Sequence, residues 1–205
     1  MTSAPLSGVV QKRRINILRL VFVALLPLVL FTRSAWEDMP AIHETAEALG
    51  ALLVISGVLG RFWAILYSGG RKNETVVQDG PYSICRHPLY LFSTMAVLGF
   101  GVLIGSVVVT IVFTGMTFLI LSMTAAAEER FLIDTFGDRY REYARRVPSI
   151  LPDLSLYQSP EEVSFHVPHL RPTFRDALVF LAFLPLAELI GFLHETGILP
   201  SVMLW

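Results

Sequence analysis

The longest uninterrupted apolar stretch of the chain predicts a pair of membrane helices. Residues 88–127 contain no charged side chain, and this stretch is about twice as long as the roughly 20 residues that one bilayer span requires. Gly105 and Ser106 lie near its middle and are typical of a tight turn. The pattern therefore predicts a helical hairpin, with one helix over residues 89–104 and the other over residues 107–126.

Three further apolar segments predict additional spans. The segment 15–32 contains Arg19 and the segment 48–68 contains Arg61. Both arginines are expected to extend their charged ends toward the head groups. Alternatively, Arg61 belongs to a site within the membrane. Glu188 in the third segment either pairs with another polar group or marks a stretch that does not cross. The three segments cover residues 15–32, 48–68 and 177–193.

Composition agrees with an all-α, polytopic integral membrane protein of about five transmembrane helices. Apolar residues make up 54% of the 205 residues and charged residues only 16%, against about a quarter in soluble domains. The length suits a single domain, which we divide into N-terminal helices (15–68), a core (69–153) and a loop with a C-terminal helix (154–205). The single cysteine, Cys85, excludes an intrachain disulfide.

The distribution of charge predicts the orientation in the membrane, and the sequence indicates neither nucleic-acid binding nor a metal site. With a cytosolic N-terminus, nearly all Lys and Arg residues of the connecting segments fall on the cytosolic side and Arg33 falls on the other, as expected for membrane proteins. The predicted location is the inner or plasma membrane of a prokaryote. No long basic block indicates nucleic-acid binding, and the five scattered histidines indicate no metal site.

The cytosolic segment 128–153 predicts an amphipathic helix. Its apolar side chains recur at the 3.6-residue period, and Pro148 and Pro152 end it. A helix that simply lies on the membrane surface explains this pattern as well. The next segment, 154–176, has prolines and no period, which predicts a loop that can serve as a lid. The apolar positions of the helix are Leu132, Phe136, Tyr140, Tyr143 and Val147.

The two ends of the hairpin bring polar side chains to one membrane face. Arg86, His87 and Tyr90 begin its first helix, and Glu128 and Glu129 follow its second. A polar cosubstrate can meet a lipid-borne one at such a place. The alternative is that these residues only anchor the helices, with an arginine at the head groups, an interfacial tyrosine and solvated carboxylates.

Two motifs carry a resemblance to a known family. The stretch "VVQDGPYSICRHPLYLF" and the later "EERFLIDTFGDRYREYARRVPSILP" resemble the membrane methyltransferases of the isoprenylcysteine carboxyl methyltransferase family. Phospholipid methyltransferases and the catalytic part of sterol reductases are more distant relatives. The resemblance covers about residues 60–152, and the two motifs together are more specific than either one alone.

The resemblance implies that S-adenosyl-L-methionine binds at the cytosolic end of the hairpin. A carboxylate and aromatic faces suit its sulfonium and amino groups, and direct methyl displacement needs alignment more than a protein nucleophile. Arg86 and Glu128 are the candidate catalytic residues. The residues implied in binding S-adenosylmethionine are Glu74, Thr75, Val76, Val77, Tyr82, His87, Pro88, Leu89, Tyr90 and Glu128.

Two positions depart from the family pattern. Phe92 stands where the family often has a small residue, and its ring is expected to narrow a lipid groove. Thr124 stands where the eukaryotic enzymes have an arginine that can bind the substrate carboxylate. Recognition of a carboxylate would then require Arg86 or Arg61 to supply the charge.

The expected function is therefore an integral membrane S-adenosylmethionine-dependent methyltransferase that acts on a lipid-like or prenylated acceptor. N-methylation of a phospholipid is the alternative substrate class. An NADPH-dependent reductase on the related fold and a non-enzymatic membrane protein are the alternatives of other classes. The sequence leaves the identity of the acceptor and the oligomeric state open.

Overall fold

The computed structural model describes residues 16, 20, 23–34, 36, 39–69, 75–165, 170–200 and 202–203. The described chain is mostly α-helical, which confirms the expected fold class. A 3-10 turn covers Leu154–Leu156, and the two-residue strands β1 (Thr32–Arg33) and β2 (Val202–Met203) pair in parallel. The helices are α1 over residues 23–31, α2 Pro40–Ser68, α3 Pro81–Ile84, α4 Pro88–Ile104, α5 Val107–Phe136, α6 Asp138–Arg146, α7 Leu170–Leu181 and α8 Phe183–Glu195.

Three described helical stretches are long and apolar enough to cross a membrane. They are α2, α5 and the stretch Phe174–His194 that runs through α7 and α8, whereas α4 is apolar but has only 17 residues. The predicted N-terminal span over 15–32 lies partly outside the described residues, and α1 is its described part. These helices make the chain an integral membrane protein.

The predicted hairpin is confirmed, together with its turn. α4 ends at Ile104 and α5 begins at Val107. Gly105 closes α4 with a φ of 73°, a left-handed conformation that glycine adopts without steric cost. The Ser106 side chain accepts a hydrogen bond from the Val109 N–H and caps α5. The hairpin brings the first turn of α4 and the last turns of α5 to the same end of the molecule.

α2 and α4 pack with their backbones close together. A Cβ atom added at Gly50 would lie 2.8 Å from the Gly99 carbonyl oxygen, and one added at Gly57 would lie 2.7 Å from the Phe92 carbonyl oxygen. Small residues at helix interfaces permit such an approach in membranes, where packing and not water exclusion drives association. This contact fixes α4, and with it the His87–Tyr90 end, against α2.

The amphipathic helix predicted over 128–153 is divided. α5 continues past the membrane stretch to Phe136, and α6 starts at Asp138. Gly137 lies between them with φ 59° and ψ −130°, a conformation open essentially only to glycine, so a single helix cannot run through it. The predicted apolar face survives as one cluster that also includes Val76 and Ile133.

The C-terminal segment is more helical than the pattern indicates. The predicted loop over 154–176 is wrong from Leu170 onward, where α7 begins. α7 and α8 are separated at Ala182, because Pro185 lacks an N–H and its ring conflicts with the carbonyl group of Leu181. Glu188 lies exposed on α8.

Arg61 joins three helices and does not anchor a helix end. One of its terminal nitrogens hydrogen-bonds the Ser93 hydroxyl on α4. The other lies 3.2 Å from a carboxylate oxygen of Asp176 on α7, and the guanidinium carbon lies 5.1 Å from the centre of the Phe180 ring. The C-terminal helices are thereby held against α2 and α4 by a charge within the helical bundle.

Candidate active site

The turn that precedes α4 is held by the segment that follows α6. The Arg86 N–H donates to the Pro148 carbonyl oxygen at 2.8 Å, and the His87 N–H donates to the Ser149 carbonyl oxygen at 3.0 Å. Pro148 ends α6 because it cannot continue the helix, so the chain extends from there and can pair. This pairing joins the two sequence motifs through their main chains.

The Glu129 carboxylate is the centre of the polar cluster. One of its oxygens, Oε1, accepts from the Ser149 hydroxyl at 2.9 Å and from His87 Nε2 at 3.0 Å. The same oxygen lies 3.1 Å from the Arg86 guanidinium. Charge-assisted hydrogen bonds of this kind are about twice as strong as neutral ones. They also fix His87, because a bond to a carboxylate requires the proton on Nε2.

Glu128 lies beside two stacked rings. The Tyr90 hydroxyl donates to Glu128 Oε2 at 2.8 Å. The His87 and Tyr90 rings are stacked with centroids 5.3 Å apart and an interplanar angle of 2°, and His87 Nδ1 lies 3.8 Å from Glu128 Oε2. The side chains of Glu128 and Glu129 are 21% and 20% exposed, so both carboxylates are partly accessible, and two rings position that of Glu128. Such a carboxylate can receive a positively charged group.

Arg86 bridges α5 and α6. Its Nη1 donates to the Ala144 carbonyl oxygen at 2.7 Å, and its Nη2 faces Glu129. The Ala144 carbonyl lies in the last turn of α6, where a positive charge is favourable for the helix dipole. The geometry thus gives Arg86 a positioning contact, and its catalytic role stays a prediction.

Tyr82 contacts α6 through its main chain. Its carbonyl oxygen accepts from the Tyr143 hydroxyl at 2.7 Å. Burial raises the pKa of the Tyr82 phenol, and this effect outweighs the hydrogen bond with Ser68, which acts in the opposite direction. The phenol is therefore neutral.

The remaining predicted residues divide into three groups. Val76 packs against the tyrosines of α6, and Leu89 packs against the cluster of Tyr90. Pro88 is buried at the start of α4, Val77 is half-buried and Thr75 is exposed. Glu74 lies outside the described residues. The structure thus brings together most of the predicted set, around Glu128 and around α6.

Cys85 is no nucleophile. Its side chain is buried, and burial raises the pKa of the thiol to about 12, against a smaller lowering by a main-chain hydrogen bond at His87. The thiolate is the reactive form of cysteine, so the neutral, buried thiol is inert.

The two positions that depart from the family pattern are both engaged in packing. The Phe92 ring contacts Gly60 of α2 and lies 6.2 Å from Trp63 between ring centroids. Thr124 donates its hydroxyl to the Ile120 carbonyl oxygen of its own helix at 2.7 Å. Thr124 therefore presents a methyl group, and no spare donor, one turn before Glu128.

Sequence reasoning missed Ser149 and the hydroxyl groups of Tyr140 and Tyr143. Ser149 meets Glu129 only because the chain extends after Pro148, and no local pattern marks it. The tyrosines were interpreted as the apolar face of a helix, although two hydroxyl groups on an otherwise apolar face are a signal that could have been read. Within the described residues, no group of three or more His, Cys, Asp or Glu side chains is placed to hold a metal ion.

Comparisons with known proteins point to one family. The family model described as phospholipid methyltransferase matches residues 45–139. The cobalt-zinc-cadmium resistance protein CzcN of Cupriavidus metallidurans is 35% identical over 98% of this chain and 92% of its own length. The nickel-cobalt-cadmium resistance protein NccN of Alcaligenes xylosoxydans xylosoxydans is 29% identical over 98% of this chain and 93% of its own length.

An enzyme of known reaction matches the central part of the chain. The protein-S-isoprenylcysteine O-methyltransferase of Schizosaccharomyces pombe is 35% identical over 91 residues, which are 44% of this chain and 39% of that enzyme. No solved structure matches.

Proposed function

The chain belongs to the phospholipid methyltransferase family, with the isoprenylcysteine carboxyl methyltransferases among its relatives, and is a membrane methyltransferase. From this premise, we propose that it transfers a methyl group from S-adenosylmethionine to a lipid-like acceptor. The observation that carries the proposal is the Glu128 carboxylate, which is hydrogen-bonded by Tyr90 and bordered by the stacked His87 ring.

The side chains around Glu128 suit S-adenosylmethionine. This molecule supplies a methyl group on a positively charged sulfonium. Glu128 offers the anionic acceptor that its amino group requires, and the rings of His87 and Tyr90 offer faces that attract a cation. In this proposal Val76, Tyr82 and Leu89 supply the apolar and aromatic lining that the resemblance implies. Glu128 is thus a binding residue, and Glu129 and Arg86 hold the frame around it.

Catalysis in this proposal consists of alignment. Direct displacement at the methyl carbon requires the acceptor atom and the sulfonium to be in line, and holding two reactants in this way lowers the barrier substantially. The chain's contribution is the rigid contact between α4 and α5, which keeps Tyr90 and Glu128 in place. Arg86 contributes by fixing the turn before α4.

The contacts favour an acceptor without a carboxylate. Thr124 uses its hydroxyl within its own helix. Arg86 is engaged with Glu129 and Ala144, and Arg61 with Asp176 and Ser93. Thr124, Arg86 and Arg61, the three groups considered for binding a substrate carboxylate, therefore already have partners. An amine, as in an aminophospholipid, or a neutral group suits the site better than a free prenylcysteine carboxylate.

The active site is proposed to face the cytosol. The proposal rests on the distribution of Lys and Arg, most of which lie on the same predicted side as His87 and Glu128. A prokaryotic inner or plasma membrane agrees with this orientation.

A second candidate function is a role in resistance to metal cations. The observation that favours it is that two relatives named for such resistance align with 98% of the chain, including the C-terminal helices that the family model leaves unmatched. In this view the methyl transfer modifies a membrane component on which resistance depends.

The two adjacent glutamates should respond differently to the loss of their charge. Glu128→Gln should weaken equilibrium binding of S-adenosylmethionine about tenfold to a hundredfold, since a charge-assisted hydrogen bond contributes about 1.5–3 kcal/mol. Glu129→Gln should instead lower the thermal unfolding temperature of the detergent-purified protein, because three donors lose a charged acceptor. Asp134→Asn, at an exposed position on the same helix, should change neither. Unchanged affinity for S-adenosylmethionine in a folded Glu128→Gln protein would contradict the proposal.

The acceptor prediction is tested at Thr124. Wild-type protein should methylate aminophospholipids in preference to N-acetylated farnesylcysteine when both compete for labelled methyl groups. Thr124→Arg should raise the share of the farnesylcysteine about tenfold, because an arginine can bind its carboxylate through two parallel hydrogen bonds. Thr135→Arg, another threonine bonded to its own helix, is the control. Efficient methylation of farnesylcysteine by wild type, with no gain in Thr124→Arg, would contradict the prediction.

The orientation is tested with an introduced thiol. Cys85 is buried with a raised pKa, so the unmodified protein should not react with an impermeant maleimide from either side. Glu142→Cys, at an exposed position of α6, should react in inverted vesicles and stay unlabelled in intact bacterial cells. Labelling of Glu142→Cys in intact cells would reverse the orientation.

The second candidate function is tested by growth. In a metal-sensitive bacterial host, wild-type protein should raise tolerance to cobalt, zinc or cadmium salts, and Glu128→Gln should lose this effect while Asp134→Asn keeps it. Absence of protection by wild type removes this candidate. Equal protection by Glu128→Gln shows that resistance is independent of the methyl-donor site.

A further inference from the structure

Two buried tyrosines on α6 have different hydrogen-bonding states. Tyr140 and Tyr143 are each only 2% exposed, and their rings pack edge to face with centroids 5.7 Å apart. The Tyr143 hydroxyl donates to the Tyr82 carbonyl oxygen. The Tyr140 hydroxyl has no hydrogen-bond partner among the residues that the structure describes. Buried hydroxyl groups in native proteins nearly always have a partner, and each exception requires a reason.

The surroundings of the Tyr140 hydroxyl indicate what it serves. The charged groups that act on this phenol are the two carboxylates Glu129 and Glu128 and the guanidinium of Arg86, which are the polar groups of the candidate active site. Burial raises the pKa of the phenol above its usual value. Tyr140 is therefore a neutral hydroxyl that carries its proton and can donate it to an acceptor in the site.

The apolar neighbours of Tyr140 point to the same place. Val76 packs against the cluster that Tyr140 forms with Tyr143 and Val147. Val76 belongs to the segment 74–77 that the resemblance assigns to binding of S-adenosylmethionine, and the resemblance assigns Tyr82, the partner of Tyr143, to the same binding site. Tyr140 thus belongs to a cluster that packs against Val76, and it lies on α6, which Arg86 contacts at Ala144.

We propose that the Tyr140 hydroxyl donates a hydrogen bond to an oxygen or nitrogen acceptor of the bound methyl donor and is a further binding residue of the site. This inference rests on the proposed function, since it assigns Tyr140 to the site in which S-adenosylmethionine is proposed to bind. In this proposal the two tyrosines have different roles. Tyr143 stabilises the fold, and Tyr140 keeps its donor for the ligand.

The matched pair Tyr140→Phe and Tyr143→Phe tests whether the two hydroxyl groups have these different roles. Each variant removes one hydroxyl and keeps the ring, and the two positions share a helix and a cluster. Two quantities are measured on detergent-purified full-length protein: the equilibrium dissociation constant for S-adenosylmethionine and the thermal unfolding temperature without ligand. Affinity is measured at a temperature at which every variant is folded, so that a change in stability does not enter the binding result.

Tyr140→Phe should bind S-adenosylmethionine about threefold to tenfold more weakly, as expected for one neutral hydrogen bond. Its unfolding temperature should equal or exceed that of wild type, because the unliganded fold loses no bond. Tyr143→Phe should unfold at a lower temperature and bind with nearly wild-type affinity.

Wild-type affinity in Tyr140→Phe would overturn the inference. A lowered unfolding temperature with unchanged affinity would overturn it as well, and would assign the hydroxyl to a structural water. Failure of the wild-type protein itself to bind S-adenosylmethionine is a different result, which removes the proposed function and this inference with it.

Discussion

The hydrogen bonds to the Glu129 carboxylate are the constraint on which the arrangement of the site depends. This one side chain, at the end of α5, draws in the turn before α4 through Arg86 and His87 and the segment after α6 through Ser149. A partly buried carboxylate is costly unless donors compensate it. The Glu129 carboxylate is therefore stable at this place only when its three donors surround it. This requirement brings three separate segments of the chain into one packing.

The division between Glu128 and Glu129 follows from helix geometry. Adjacent residues on a helix point in directions that differ by about 100°, so the Glu129 carboxylate faces the turn before α4 while the Glu128 carboxylate accepts from the Tyr90 hydroxyl. His87 connects the two, because its Nε2 faces Glu129 and its ring lies on Tyr90. The surroundings of Glu128 are therefore set in part by its neighbour Glu129, through the His87 ring that both carboxylates approach.

The parts of the structure that depend on local pattern could be predicted from the sequence. The charge-free stretch and Gly105 gave the hairpin, and the two motifs gave the residues that gather at its polar end. The predicted helix through Gly137 was wrong because a 3.6-residue period does not report the φ angle of one residue. Long-range partners had no local signal: Asp176 meets Arg61 across 115 positions, and Ser149 meets Glu129 only after the chain extends. For this reason Arg61 was interpreted as an anchor at a helix end.

The close approach of α2 and α4 limits the path by which the proposed lipid acceptor can reach the site. From Gly50 to Gly60 the two backbones, with the Phe92 ring at one end, leave no gap that an acyl chain could occupy. This seam is a closed wall about three helical turns tall. A membrane-dissolved molecule reaches the polar end of α4 only along the other sides of that helix. The path of the proposed lipid acceptor is thus limited by the glycines of α2, since a larger side chain at Gly50 or Gly57 would meet the backbone of α4.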